Sequence, residues 1–273
     1  MAIVTISREL EALGEETARE LSLATGFRLI DRGLIERRLG EHGCGAAAQQ
    51  KYDEKRPGLW ASLAEGRAAY LELLKLALYE EASLGDCIVM GRGGAAVFRA
   101  VPDHLAIRFV APLELRVERA MREFSCDERQ ARQVLGQSDH DRGGFSRIYF
   151  DFDWADPRAY ELVLNTARLD PPKAARMAES CMGLALSDQA RLAGGQALAD
   201  LLLAQRVMVE IICSRGERLG GVSAKAERGV VVLSGLANTK AAIDAALAAA
   251  RAVPGVLEAR SDMHLVQEYN VIP

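Results

Sequence analysis

Apolar residues near the start of the chain fall into two short runs, separated by a segment with a helical period. Residues 3–6 are apolar with β-branched side chains, which suits a buried strand, and residues 27–30 form a second such run. Between them, residues 7–14 form a predicted loop, followed by an amphipathic helix that Gly26 ends. This order predicts a βαβ unit with Asp31 at the carboxyl end of its second strand.

The same alternation of short apolar runs and helical periods continues to about residue 186. It predicts strands at 87–90, 105–110 and 160–164, and helices at 33–41, 59–84, 95–100, 112–123, 127–137 and 170–186. Residues 42–58 lack a period and are predicted to form a loop, and the polar, glycine-containing residues 138–148 are predicted to form a lid loop. The pattern indicates a three-layer α/β domain with a parallel sheet over residues 1–186.

A different pattern follows a polar, alanine-rich stretch at 187–198, which is typical of a linker. Residues 199–215 favour a helix, although periodicity alone leaves a strand open for 207–212. The remaining elements are a hairpin with strands at 222–227 and 230–234, a helix at 239–252 and a strand at 256–266. Residues 199–273 are therefore expected to form a small α+β domain of order αββαβ.

The composition excludes several functional classes. The hydrophobic fraction of 49% and the charged fraction of 26% are those of an ordinary globular protein. The net charge of −4 gives no general reason to expect binding to nucleic acid or to a membrane surface, and no apolar stretch is long enough for a span. No signal-like segment follows Met1, so a cytoplasmic location is expected. The five cysteines are scattered and odd in number, so they are expected to be reduced thiols: Cys44, Cys87, Cys126, Cys181 and Cys213.

The loop after the first strand occupies the position where a parallel sheet binds phosphate, against the N-terminus of a helix. The sequence there, residues 11–17, is EALGEET, and it fits a phosphate-binding P-loop poorly. Only Gly14 and Thr17 are suitably placed, while Glu11 and Glu15 stand where a glycine and the lysine are expected. On this pattern alone, an ordinary βα turn and a degenerate phosphate loop both remain open.

Four segments together resemble the cytidylate-kinase-like family of P-loop nucleoside-monophosphate kinases, over roughly residues 2–183. They are IVTISRE at 3–9, LIDRGLIER at 29–37, IVMGRGG at 88–94, and DHDR at 139–142 with Arg147. The third segment departs from the family, because Met90 and Gly93 stand where acidic residues usually flank the substrate arginine. The C-terminal residues 199–268 resemble a BON-type domain through GVVVLSG at 229–235 and VPGV at 253–256.

The first resemblance implies ATP-dependent phosphoryl transfer with Mg²⁺ to a nucleoside monophosphate or a similar small acceptor. Arginine suits such a site because its planar fork binds phosphate oxygens in pairs. The implied roles are these: acceptor binding by Asp31, Arg37 and Arg92; stabilisation of the transferring group by Arg142 and Arg147; phosphate binding by Arg8, Gly14 and Thr17; and a Mg²⁺ contact by the Thr17 hydroxyl.

Each of these residues also has an ordinary structural interpretation. A surface arginine is usually a solvated charge, Thr17 is a common kind of helix-start residue, and Asp31 is able to pair with a nearby arginine. The missing lysine supports a second hypothesis, in which the chain is a non-catalytic regulatory protein. In that case the site binds a nucleotide or another anion, and the BON-type module reports its presence to a protein or ligand partner.

Overall fold

A computed structural model describes residues 1–46, 48–49, 64–213 and 219–266. The N-terminal part is built on five parallel strands in the order β2-β3-β1-β4-β5. Their bounds are β1 Ile3–Arg8, β2 Arg28–Ile30, β3 Cys87–Met90, β4 His104–Val110 and β5 Leu162–Asn165. The first strand lies in the centre of the sheet, so the loop that follows it opens at the middle of the carboxyl edge.

Helices cover both faces of this sheet, which confirms the three-layer α/β fold expected from the sequence. Their bounds are α1 Gly14–Thr25, α2 Arg32–Glu41, α3 Ala64–Ala82, α4 Gly94–Val97, α5 Leu113–Phe124, α6 Glu128–Phe150 and α7 Pro171–Ala185. One apolar core lies between the sheet and α2, α3 and α4, and a second lies between the sheet and α1 and α7. Strands buried on both faces have continuous apolar runs, as β3 does here, and β1 is buried at five of its six positions.

The prediction of a lid loop at residues 138–148 is wrong, because these residues belong to helix α6. The helix starts at an Asp127–Gln130 capping box and continues through two adjacent glycines to Phe150. Phe145 and Tyr149, one turn apart, pack their rings 4.8 Å from each other on the core side. This packing outweighs the low helix propensity of Gly143 and Gly144.

Residues 188–198, expected to be part of a linker, also lie in a helix, α8 (Asp188–Cys213). Gly194 allows α8 to pack closely on the N-terminal part, since a Cβ at this position would lie 2.6 Å from the Cβ of Asp103. Leu198 and Leu202 join the core beside α3, and the buried Gln205 side chain donates to the Glu72 carbonyl at 2.9 Å. The linker stretch is thus a packed helix, while the domain boundary itself stays a prediction.

The C-terminal unit begins on the last turns of α8, where Val207 joins a separate core. Its further elements are β6 Leu219–Glu227, β7 Val230–Ala237, α9 Lys240–Ala252, β8 Glu258–Ser261 and β9 His264–Leu265. The hairpin of β6 and β7 was expected, but the single last strand was not found. Two short strands pair with β7 on either side of Gly235, whose φ of +140° interrupts the regular ladder.

The histidine that opens β4 gives the N-terminal part a pH-dependent stability. His104 Nε2 lies 2.8 Å from the Thr5 hydroxyl, and burial lowers the pKa of His104 to about 4 from an ordinary value of 6.5. The unfolded chain takes up this proton below about pH 6.5, whereas the folded protein does so only near pH 4. Stability therefore falls as the pH drops through this window.

We expect His104→Asn to flatten the pH dependence of stability between pH 7 and pH 5. In the unmodified protein this histidine alone lowers the free energy of unfolding by up to about 2 kcal/mol over that range. Urea unfolding followed by circular dichroism at the two pH values measures the difference. His140→Asn, on α6, is the matched control, and an unchanged slope in His104→Asn contradicts the assignment.

Candidate functional site

A cavity of about 1240 Å³ opens at the carboxyl edge of the sheet, between α1, α2 and α6. Its wall carries both signs of charge. The guanidinium groups belong to Arg8, Arg19, Arg32, Arg92 and Arg142, and the carboxylates to Glu11, Glu15, Glu16, Asp31, Glu123 and Asp141. The far end, formed by the α5–α6 corner, is less charged and includes Phe124, Gln133 and Val134.

The loop between β1 and α1 turns through two left-handed residues, neither of which is glycine. Glu11 and Leu13 have φ values of +63° and +58°, in the left-handed region. That conformation costs a residue with a side chain about 1–2 kcal/mol. Leu13 is also the N-cap of α1 and makes no capping hydrogen bond, so the first amides of the helix remain available to an anion.

Arg8 reaches across the mouth of this loop and pairs with the carboxylate in the lysine position. Its Nη2 donates to Glu15 Oε1 at 2.6 Å, while its buried Nε has no hydrogen-bond partner within the part of the chain that the structure describes. Burial favours the protonated form of Glu15, but Arg8, Arg142 and Arg19 outweigh it and lower the pKa of Glu15 below its ordinary value. A Cβ on Gly14 would lie 2.6 Å from the Arg8 Cβ, so only glycine leaves room for this side chain.

Arg92 is held by an unusual turn at the end of β3. Gly91, Arg92 and Gly93 have consecutive φ values of +66°, +56° and +70°. The arginine side chain is only 4% exposed, lines the cavity, and its Nη2 donates to Glu36 Oε1 on α2 at 3.3 Å. A left-handed, buried arginine facing a cavity is the kind of strained position that clusters at functional sites.

The two α6 arginines that were expected in the site, Arg142 and Arg147, do not face the same way. Arg142 lines the cavity, and its Nη1 donates to the carbonyl of Arg8 at 3.0 Å. Arg147 is exposed and does not line the cavity, since five residues place it about 140° around the helix axis from Arg142. Helix geometry thus separates two residues that a loop would have been free to bring together.

The other expected site residues also divide into those that line the cavity and those that do not. Asp31 lines it, although one carboxylate oxygen caps α2 by accepting from Leu34 N–H at 2.8 Å. Arg37 is exposed beside the rim, where its Nη1 lies 3.7 Å from the position of a Cβ on Gly33. Thr17 is fully buried and its hydroxyl donates to the Leu13 carbonyl at 2.6 Å.

Two cavity arginines were missed by sequence reasoning. Arg19 follows Glu15 by one helical turn, and this spacing was a usable signal that both belong to the same side of α1. Arg32 follows Asp31 directly, and its Nε donates to Glu36 Oε1 at 2.6 Å. No pattern distinguished it from the many other arginines of the chain.

The residues present do not fit a magnesium ion held by the protein itself. The Thr17 hydroxyl is committed to Leu13, and the described part of the chain has no group of three histidine, cysteine or acidic side chains able to hold a metal. Burial, followed by the nearby Glu16 and Glu123, raises the pKa of Glu11, so several carboxylates lie close together on this side of the loop.

A search of the described helices for a membrane-spanning segment, one that combines sufficient length with sufficient apolar character, found none.

These features define a class of protein. A parallel sheet of order 2-3-1-4-5, whose central strand leads through a short loop into a helix N-terminus, is a kinase-like P-loop fold. Residues 3–168 match the model of the cytidylate kinase-like family, and the chain belongs to that family. Residues 200–267 match the BON domain, as expected.

Similarity to known structures supports the fold of this chain, but neither the structures nor the related sequence establishes an activity. An uncharacterized protein from Eubacterium ventriosum matches with a TM-score of 0.52 and 15% identity, over 67% of this chain and 99% of that one. Shikimate kinase from Acinetobacter baumannii matches with a TM-score of 0.39 and 13% identity, over 67% and 94%. A uronate isomerase from Corynebacterium glutamicum is 32% identical over 82 residues, which span 30% of this chain and 16% of the isomerase.

Proposed function

We propose that the cavity binds a nucleoside phosphate, and that the chain transfers the γ-phosphoryl group of ATP to a nucleoside monophosphate or a similar small acceptor. One observation carries this proposal. Arg8, Arg92 and Arg142 come from distant parts of the sequence, yet all three line one cavity beside the uncapped N-terminus of α1. Phosphoryl transfer needs little more from a protein than such positioned positive charge.

The proposed roles follow the positions of the side chains around the cavity. Arg92 and Asp31 contact the acceptor, with Arg37 at the rim. The loop amides and Arg8 bind the donor phosphates, and Arg142 stabilises the transferring group. ATP enters as its magnesium complex, so the metal is part of the substrate. Arg147 keeps no role in this proposal because it is exposed away from the cavity.

A second candidate function is favoured by one contact, the Arg8–Glu15 ion pair. Glu15 stands in the lysine position and would oppose a donor phosphate, while binding to the remaining amides and arginines needs no lysine. On this candidate the chain is a non-catalytic nucleotide or anion sensor. Helix α8 contributes to the cores of both units, so a ligand-dependent shift in the first unit has a physical route to the second.

Calorimetry and a turnover assay on the full chain separate the candidates. We expect ATP to bind in the presence of Mg²⁺, and the kinase proposal requires ADP production that depends on an added nucleoside monophosphate. Binding without turnover, across the common nucleoside monophosphates, supports the sensor instead. Absence of both binding and turnover overturns the two candidates together.

The cytoplasmic location and the partner of the BON domain stay predictions.

The acceptor role of Arg92 predicts a specific loss. Arg92→Met should weaken binding of a nucleoside monophosphate about 10-fold to 100-fold, because a charge-assisted phosphate contact is lost. The matched control is Arg99→Met, which removes an exposed arginine just beyond α4. Titration calorimetry measures both, and equal affinities in the two variants count against the role.

A further inference from the structure

The carbonyl groups of the loop after β1 are all occupied. Each of the six consecutive carbonyls from Arg8 to Leu13 accepts a hydrogen bond from the protein. Two are bound locally, by Ala12 N–H and by Thr17. The other four are bound by side chains from distant segments: Arg142 to Arg8 O (3.0 Å), Arg116 to Leu10 O (2.7 Å), Arg119 to Glu11 O (2.9 Å) and Thr166 to Ala12 O (3.1 Å).

These donors act on the strained part of the backbone. Glu11 and Leu13 are the two left-handed residues of the loop, and neither is glycine. Such conformations persist only where the surroundings over-determine them. Arg119 is well suited to do this, because it also donates to Thr166 O at 3.0 Å and so ties the Glu11 carbonyl to the end of β5.

The same contacts decide where the amides point. A peptide group is planar and trans, so the N–H that follows a carbonyl points the opposite way. The Leu10 carbonyl is drawn to Arg116 and the Ala12 carbonyl to Thr166, which turns the N–H groups of Glu11 and Leu13 away from those donors. Within the described residues, the N–H groups of Leu10, Glu11 and Leu13 donate to no protein atom.

We propose that Arg119, together with Arg116 and Thr166, holds the loop in its anion-binding shape and so replaces the glycines that this loop lacks. They are positioning residues: they contact loop carbonyls, and the freed amides contact a phosphoryl oxyanion. The role of the amides rests on the proposed phosphate binding. The role of the side chains in fixing the backbone does not.

Arg119→Met is the principal test, because Arg116 is buried between Glu9 and Asp139 and its loss risks unfolding. The matched control is Arg122→Met, one turn further along α5, where the exposed arginine donates to the Glu118 carbonyl of its own helix and, among the described residues, to no loop carbonyl. Two readouts are measured on the full chain: ATP affinity with Mg²⁺ by calorimetry, and hydrogen exchange by mass spectrometry of the peptide covering residues 6–17.

We expect Arg119→Met to weaken ATP binding about tenfold or more and to raise deuterium uptake in that peptide, while Arg122→Met changes neither. Glu11→Gly tests whether Arg119 acts through the strained backbone at residue 11. If Arg119 had only a general structural role, the effect of Arg119→Met would not depend on the residue at position 11. Glycine adopts positive φ without strain, so in the Glu11→Gly background the loss caused by Arg119→Met should shrink to about threefold or less.

The outcomes separate the two proposals. Equal uptake in Arg119→Met and Arg122→Met overturns the positioning role, whatever happens to affinity. Higher uptake in Arg119→Met alone supports it, even if the unmodified chain binds no ATP, in which case the proposed function fails by itself. Should Arg119→Met not fold, Thr166→Val takes its place, since it removes the donor to the Ala12 carbonyl, and the same uptake comparison decides.

Discussion

Replacing Glu15 with lysine should raise the affinity for ATP by about two orders of magnitude. The carboxylate stands in the first turn of α1, where it neutralises Arg8 and opposes a bound phosphate. Two unit charges 4 Å apart interact by about 4 kcal/mol at the effective dielectric constant of a protein surface. Reversing the sign at this half-exposed position, after screening, leaves about 3 kcal/mol, which is roughly a hundredfold in affinity.

The substitution also frees Arg8 to bind the phosphate directly. If the kinase proposal holds, turnover should rise by about 10²–10³ as well, the usual effect of one key electrostatic donor. Glu20→Lys is the matched control, because it makes the same charge change on an exposed position of α1 that does not line the cavity. Calorimetry with ATP measures both variants. An equal rise in ATP affinity in the two variants, or weaker binding in Glu15→Lys, would show that the ATP phosphates do not bind at this loop.

Gly93→Ala should destabilise the protein by about 2–5 kcal/mol. The residue has a φ of +70°, and a Cβ there would lie 2.1 Å from a ring carbon of Phe150. Left-handed strain costs about 1–2 kcal/mol, and forcing an aromatic ring aside in a packed interior costs about 1–3 kcal/mol more. Phe150 closes the end of α6, so displacing it also moves the helix that carries Arg142.

Urea unfolding followed by circular dichroism measures this loss. The matched control is Gly136→Ala on the exposed side of α6, where a Cβ meets no atom within 4 Å. There the same substitution should stabilise the protein by about 0.5–1 kcal/mol, because alanine loses less backbone freedom than glycine on folding. A Gly93→Ala protein as stable as the unmodified chain is incompatible with the packing described for the β3–α4 turn.

The fold was largely predictable because it depends on local periods. A two-residue period or continuous apolar run gives a strand, a 3.6-residue period gives a helix, and their alternation gives a parallel sheet. Prediction failed where glycines lay inside elements, at residues 138–148 and 187–198. Gly194 illustrates the reason: local composition suggested a break, whereas its small size is what allows α8 to approach Asp103.

The site was only partly predictable. Arg8 and Arg92 were predictable because each comes directly at or after the carboxyl end of a central strand, where side chains of a parallel sheet meet. Arg147 was expected beside Arg142 because both lie in one polar stretch, but the helical period separates them. The hydrogen bonds from Arg116 and Arg119 to the loop carbonyls had no sequence signal, because both residues are ordinary arginines of an amphipathic helix.

By itself, the sequence determined the order of strands and helices, the family, and the charges that end the central strands. Only the tertiary structure decided which of those charges meet and which backbone shape the loop takes. The reason is distance along the chain: Arg116 bonds a carbonyl 106 positions away, and Arg142 bonds one 134 positions away. Such contacts follow from how packed elements align, and no local pattern of residues encodes that alignment.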